Sequence, residues 1–127
     1  MKVLLVDDEE DIRKIGRMSL AAVGKLQVVL ATGAVEAIEL ARLERPDVIL
    51  MDMMMPGMDG LAALAELKRI PELQAIPVLF MTAKVQRSEV EHYLSVGAIG
   101  VIQKPFDPMT LPGEVKRIVQ AHRQGSG

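Results

Sequence analysis

Residues 47–60 read DVILMDMMMPGMDG. Val48, Ile49, Leu50 and Met51 are apolar without interruption, and the run stops at the acid Asp52. A strand with one wet face alternates apolar and polar side chains, so an unbroken run points to a strand covered on both faces by helices, as in a parallel sheet. VLLV at residues 3–6 and VLFM at residues 78–81 have the same form, and these three strands are expected at the centre of the sheet.

Working outward, strands are predicted over residues 3–6, 27–30, 47–51, 77–81 and 100–103. The segments between them carry apolar residues at helical spacing: Ile12, Ile15, Met18 and Ala22; Ala34, Ala37, Ile38 and Ala41; Leu61, Leu64 and Leu67. A fourth helix, over residues 88–95, shows only Val90, Tyr93 and Leu94. A fifth shows Leu111, Val115, Ile118, Val119 and His122, with Pro112 and Gly113 in its first turn, where a missing N–H is harmless. Strands alternating with helices make an α/β domain. Residues 1–123 fit one such domain, leaving 124–127 (QGSG) as a linker stub, a frayed natural end or a remnant of cloning.

With 127 residues, half of them apolar, the chain can bury a core without staples. The absence of cysteine excludes a disulfide framework and a thiolate metal site. The apolar start is too short for a secretory signal or a membrane span, so a cytoplasmic protein with no membrane association is expected. A formal charge of -2 and three aromatic residues (Phe80, Tyr93 and Phe106) provide neither a basic stripe nor a stacking platform, so no direct nucleic-acid binding is expected.

In an open parallel sheet, ligands bind beyond the carboxyl ends of the strands. VLLV runs into Asp7 and Asp8, VILM into Asp52, VLFM into Thr82, and the last strand into Lys104 and Pro105. These polar side chains would share one crevice. Three carboxylates together repel unless a cation offsets them, and an all-oxygen donor set favours Mg²⁺. One positive charge from Lys104 and two from the metal would then balance three negative ones. The resulting near-neutral pocket could take a phosphoryl group, bonded by Thr82 and paired with Lys104. Each residue taken alone also has a plainer reading. Asp7 and Asp8 belong to an acidic run with Glu9, Glu10 and Asp11 that suits any helix start. Asp52 could be a loop residue, Thr82 a helix cap and Lys104 a solvated lysine, and the methionines at 51, 53, 54, 55 and 58 read as core and loop filler.

With VLLVDDE, DVILMDMMMPGMDG, VLFMTA and GAIGVIQKPF in this order and spacing, the chain resembles the receiver domains of two-component response regulators from about Lys2 to His122. The resemblance implies a flavodoxin-like (βα)5 fold, doubly wound, with strand order 2-1-3-4-5; a chemotaxis receiver is a standard example of that order. It implies that Asp52 is the phosphoacceptor, and that Asp7, Asp8, Asp52 and the backbone carbonyl of Met54 hold Mg²⁺. Thr82 and Lys104 would be the switch residues. It further implies a cis peptide before Pro105, and a turn into the third helix built on Met55, Pro56, Asp59 and Gly60. The expected function is a phosphorylation-dependent switch rather than an enzyme. Its expected partners are a histidine kinase or phosphotransfer protein and a downstream target or fused output domain, with protein binding on the last helix and the face it forms with the fourth. Val101 stands where the family often has an aromatic residue, so little rearrangement is expected along the fifth strand. Met54 and Lys84 occupy positions that tend to tune the phosphoryl lifetime.

Other readings of the same residues are weaker. A phosphatase of the haloacid dehalogenase type resembles D-x-D at this place, and Met54 leaves no general acid there. A flavin or nucleotide binder lacks both G-x-G-x-x-G and G-x-x-x-x-G-K. A receiver-like module that is never phosphorylated would keep the fold and lose the chemistry.

Overall fold

A computed structural model of the chain describes residues 1–125. Its elements are β1 (Lys2–Val6), α1 (Glu10–Met18) continued by a π-helical turn (Ser19–Val23), β2 (Gln27–Ala31), α2 (Ala34–Glu44), β3 (Val48–Asp52), α3 (Gly60–Arg69), β4 (Val78–Thr82), α4 (Arg87–Ser95), β5 (Gly100–Gln103) and α5 (Leu111–Gly125). The sheet is parallel throughout, in the order β2-β1-β3-β4-β5. This is the expected flavodoxin-like arrangement, with the three unbroken apolar runs in the middle. β3 and β4 are buried along their whole length, while the edge strands β2 and β5 each keep an exposed residue.

Side chains alternate between the faces of a strand, so each apolar run feeds two cores. Leu4, Val6, Ile49, Met51 and Phe80 pack on α2, α3 and α4 through Ala37, Ala41, Leu64, Leu67 and Tyr93. Val3, Leu5, Val48, Leu50, Leu79 and Met81 pack on the other side against Leu20, Leu111, Val115 and Val119. Each fully buried leucine contributes about 2 kcal/mol of burial free energy.

Two sequence readings need correction. β3 and β4 both start and end one residue later than predicted, so Asp52 and Thr82 are the last residues of their strands. Strand pairing sets these ends: Asp52 is opposite Met81, whose carbonyl accepts the Met53 N–H, and Thr82 is opposite Gln103, with its carbonyl taking the Lys104 N–H. The predicted stripe of α1 is also wrong. Ile12 is half-buried, Ile15, Met18 and Ala22 are exposed, and Gly16, Ser19 and Leu20 face inward. Residues three apart on a helix precess by about 60° per step, so a 12-15-18 series leaves the buried face. The inward series 12-16-20 holds it, and Gly16 makes room there: a Cβ would lie 2.5 Å from a Leu5 methyl.

α5 runs on through Gln124 and Gly125, the first two residues of the expected tail. Ser126 and Gly127 lie outside the described residues. No helix among those described is long and apolar enough to cross a membrane.

Candidate functional site at the carboxyl ends of the strands

Asp7 follows the last residue of β1 and is fully buried. Its N–H donates to the Ala31 carbonyl of β2, and its Oδ1 accepts the Glu9 N–H at 2.9 Å, which turns the chain into α1. Arg13 donates to its carbonyl at 2.8 Å. These bonds leave Oδ2 aimed at the crevice, while Asp8, next along, is exposed.

Asp52 closes β3 and is only 4% exposed. The loop after it is drawn back under the site: the Gly60 N–H donates to the Met53 carbonyl at 2.9 Å, and Asp59 caps α3 by accepting the Ala62 N–H at 2.8 Å. A side chain at Gly60 would be tight, since a Cβ would sit 3.0 Å from the Asp52 carbonyl, the Met53 Cα and the Phe80 ring. The Met54 N–H makes a long 3.4 Å contact with Asp52 Oδ1, and its side chain is exposed.

Thr82 closes β4, the neighbour of β3, and is buried. Its Oγ1 accepts the Lys84 N–H at 3.0 Å. From the end of β5, Lys104 reaches across two strands to place Nζ 2.9 Å from Asp7 Oδ2 and 3.2 Å from Asp52 Oδ1. The Lys104–Pro105 peptide is cis.

The electrostatics follow from this packing. Burial pushes the Asp52 carboxyl above the ordinary aspartate value; the charge of Asp7 adds to this, and Lys104 offsets part of it. For Lys104, burial pulls the other way, but the hydrogen bond and charge of Asp7, followed by those of Asp52, outweigh it and hold the ammonium above its ordinary value. Lys104 is therefore a permanent cation between two carboxylates.

Asp7, Asp8 and Asp52 each present a carboxylate oxygen, all within 4.8 Å of one another. Three clustered anionic oxygens without nitrogen or sulfur donors fit a hard divalent cation such as Mg²⁺.

The structure thus brings Asp7, Asp8, Asp52 and Lys104 to one point, with Thr82 at the adjacent strand end. Two neighbouring features were not read from the sequence. An apolar hollow of about 530 Å³ opens beside Lys104, between Ile12 and Ile15 of α1 and Pro105, Phe106 and Pro108 of the loop after β5. Ile15 lines this hollow and is exposed, although helical periodicity alone places it with the core. Tyr93 of α4 is buried, its ring edge-on to Phe80 with centroids 5.7 Å apart, and its hydroxyl faces the Lys84 carbonyl at 3.5 Å. In the sequence it is only one of three apolar residues on a helix.

Comparison with known proteins agrees with this geometry. Residues 3–116 match the family model described as the response regulator receiver domain. The chain is 34% identical, over 94% of its length, to a probable transcriptional regulator ycf27 of Guillardia theta and to the alkaline phosphatase synthesis transcriptional regulatory protein PhoP of Bacillus subtilis; it covers 45% and 48% of those proteins. The chain therefore spans about half the length of the curated relatives it matches. Among solved structures, the chemotaxis response regulator CheY4 of Vibrio cholerae superposes with a TM-score of 0.84 at 32% identity, covering 92% of this chain and 97% of that one. With its strand order, its carboxylate cluster and this match over most of its length, the chain belongs to the response regulator receiver domain family.

Proposed function

We propose that the domain is a phosphorylation-dependent switch in which Asp52 accepts a phosphoryl group from a histidine kinase or phosphotransfer protein with Mg²⁺ bound. The observation that carries this is the position of Asp52: a buried carboxylate at a strand end, 3.2 Å from the Lys104 ammonium and clustered with Asp7 and Asp8. An Asp52 oxygen attacks phosphorus while the bond from phosphorus to the donor imidazole nitrogen breaks. Bound Mg²⁺ would supply charge for the transferring phosphoryl oxygens and be held by Asp7, Asp8, Asp52 and the Met54 carbonyl. Lys104 stabilises the added negative charge as a preorganised cation, and the Thr82 hydroxyl donates to another phosphoryl oxygen. The domain does not turn over a substrate of its own. It changes the surface offered to a target.

The donor has to reach the crevice, and the apolar hollow that shares Lys104 with it provides a contact surface at the right place. The curated relatives named as transcriptional regulators are about twice as long as this chain. By analogy, the output is a further domain or a separate protein, and any contact with DNA is made there. The acceptor is tested with a small acyl phosphate and Mg²⁺, read by intact mass. One added phosphoryl group is expected on the parent and none on Asp52→Asn, and equal labelling of the two would remove Asp52 as the site.

A further inference from the structure

Two side chains grip opposite ends of one residue in the turn between β4 and α4. The Lys84 N–H is held by Thr82 Oγ1 at 3.0 Å, and the Lys84 carbonyl faces the Tyr93 hydroxyl at 3.5 Å. The first is a firm hydrogen bond. The second stands at the outer limit of one, so a small movement of the peptide makes or breaks it. The Tyr93 ring itself is fixed, being buried and edge-on to Phe80. Phe80 is paired across the ladder with Val101, which packs against the same cluster. The large ring on this side of the sheet end is therefore supplied by α4, and β5 contributes only a small branched side chain.

We infer that Tyr93 reads the position of the β4–α4 turn and carries the state of Asp52 to α4. The inference rests on phosphorylation of Asp52. To bring its hydroxyl proton to a phosphoryl oxygen, Thr82 Oγ1 moves toward β3, and the Lys84 N–H that it accepts then follows it or loses its acceptor. Either way the Lys84 peptide shifts. The ring pinned on Phe80 cannot follow, and a 3.5 Å contact has no slack to absorb the movement. The O–H then turns from the Lys84 carbonyl toward a cleft of about 360 Å³ that Tyr93 lines together with Met54, Lys84, Ser88 and His92. The surface of α4 that a target meets is thereby altered, without rotation of an aromatic side chain on β5.

The chain holds one tyrosine and no tryptophan, so 3-fluorotyrosine incorporated into the full chain reports on position 93 alone. In the resting protein, Thr82→Val keeps the branched shape without the acceptor and should move the fluorine resonance by more than its line width, while Thr82→Ser should leave it near the parent position. Beryllofluoride with Mg²⁺ should move the resonance of the parent and not that of Thr82→Val. Tyr93→Phe, which keeps the ring, should flatten the beryllofluoride response of the α4 amides. An unmoved resonance in resting Thr82→Val, or equal beryllofluoride responses with and without the hydroxyl, overturns the inference. Bound beryllofluoride has its own fluorine signal. If the parent shows none, the acceptor reading fails and the inferred relay with it, whereas a bound signal beside a silent Tyr93 overturns the relay alone.

Discussion

The Lys104 ammonium donates a 2.9 Å hydrogen bond to Oδ2 of Asp7, a carboxylate with no exposure to solvent. The same ammonium stands 3.2 Å from Asp52. One cation thus serves two buried anions, each of which depends on it while repelling the other. Removing the cation leaves both buried carboxylates uncompensated, which costs more than the pair contributes over an apolar replacement.

Lys104→Gln should therefore lower stability by about 3 kcal/mol at neutral pH, the usual cost of leaving a buried ion without its partner. Urea denaturation measures it. Added Mg²⁺ should recover part of the loss by replacing the missing positive charge, and a variant as stable as the parent without metal would contradict the electrostatic account.

Asp52→Asn should act in the opposite direction. The folded protein holds the Asp52 proton to a higher pH than the unfolded chain, whose value is near 3.8. A raised carboxylate makes stability fall as pH rises through the unfolded value to the folded one, and the penalty persists above that. The amide removes the penalty. The variant should melt higher than the parent at neutral pH, with the difference fading below pH 3.8. Parallel melting curves at both pH values would contradict the raised value.

Asp7→Asn and Asp8→Asn should separate stability from metal binding. Asp7 accepts from both the Glu9 N–H and Lys104, and an amide can serve only one of them, so a loss of about 2 kcal/mol is expected. Asp8 is exposed, and its replacement should change stability by no more than about 0.5 kcal/mol. Both should weaken Mg²⁺ binding, read by titration of amide shifts. Unchanged Mg²⁺ affinity in Asp8→Asn would remove it from the ligand set.

Gly60→Ala tests the loop under Asp52. Two of the three atoms 3.0 Å from the new methyl are backbone, which yields less readily than a side chain. The expected cost is about 1–3 kcal/mol, together with slower acyl-phosphate labelling, because the strain falls on the Asp52 carbonyl. A destabilised variant that labels at the parent rate would show that the loop absorbs the strain without moving Asp52.

The amino-acid sequence by itself determined the architecture of this protein. Runs such as VILM and VLFM are long enough and apolar enough to require burial on both faces, which calls for a parallel sheet with helices on each side, and their polar ends place Asp7, Asp52, Thr82 and Lys104 at one rim. The strand order and the roles of these residues came from resemblance. Only the tertiary structure decided what depends on distant partners. Pairing with Met81 and Gln103 moved the strand ends onto Asp52 and Thr82. The close approach of Gly16 to Leu5 turned Ile15 and Met18 outward. Packing against Phe80 made the tyrosine of an undistinguished helix a neighbour of the hydrogen bond that Thr82 accepts. Hydrophobic period is a local property of the chain, read within a few residues. Which face a helix buries, and which hydroxyl meets which carbonyl, are settled between segments tens of residues apart and appear only once the chain has packed.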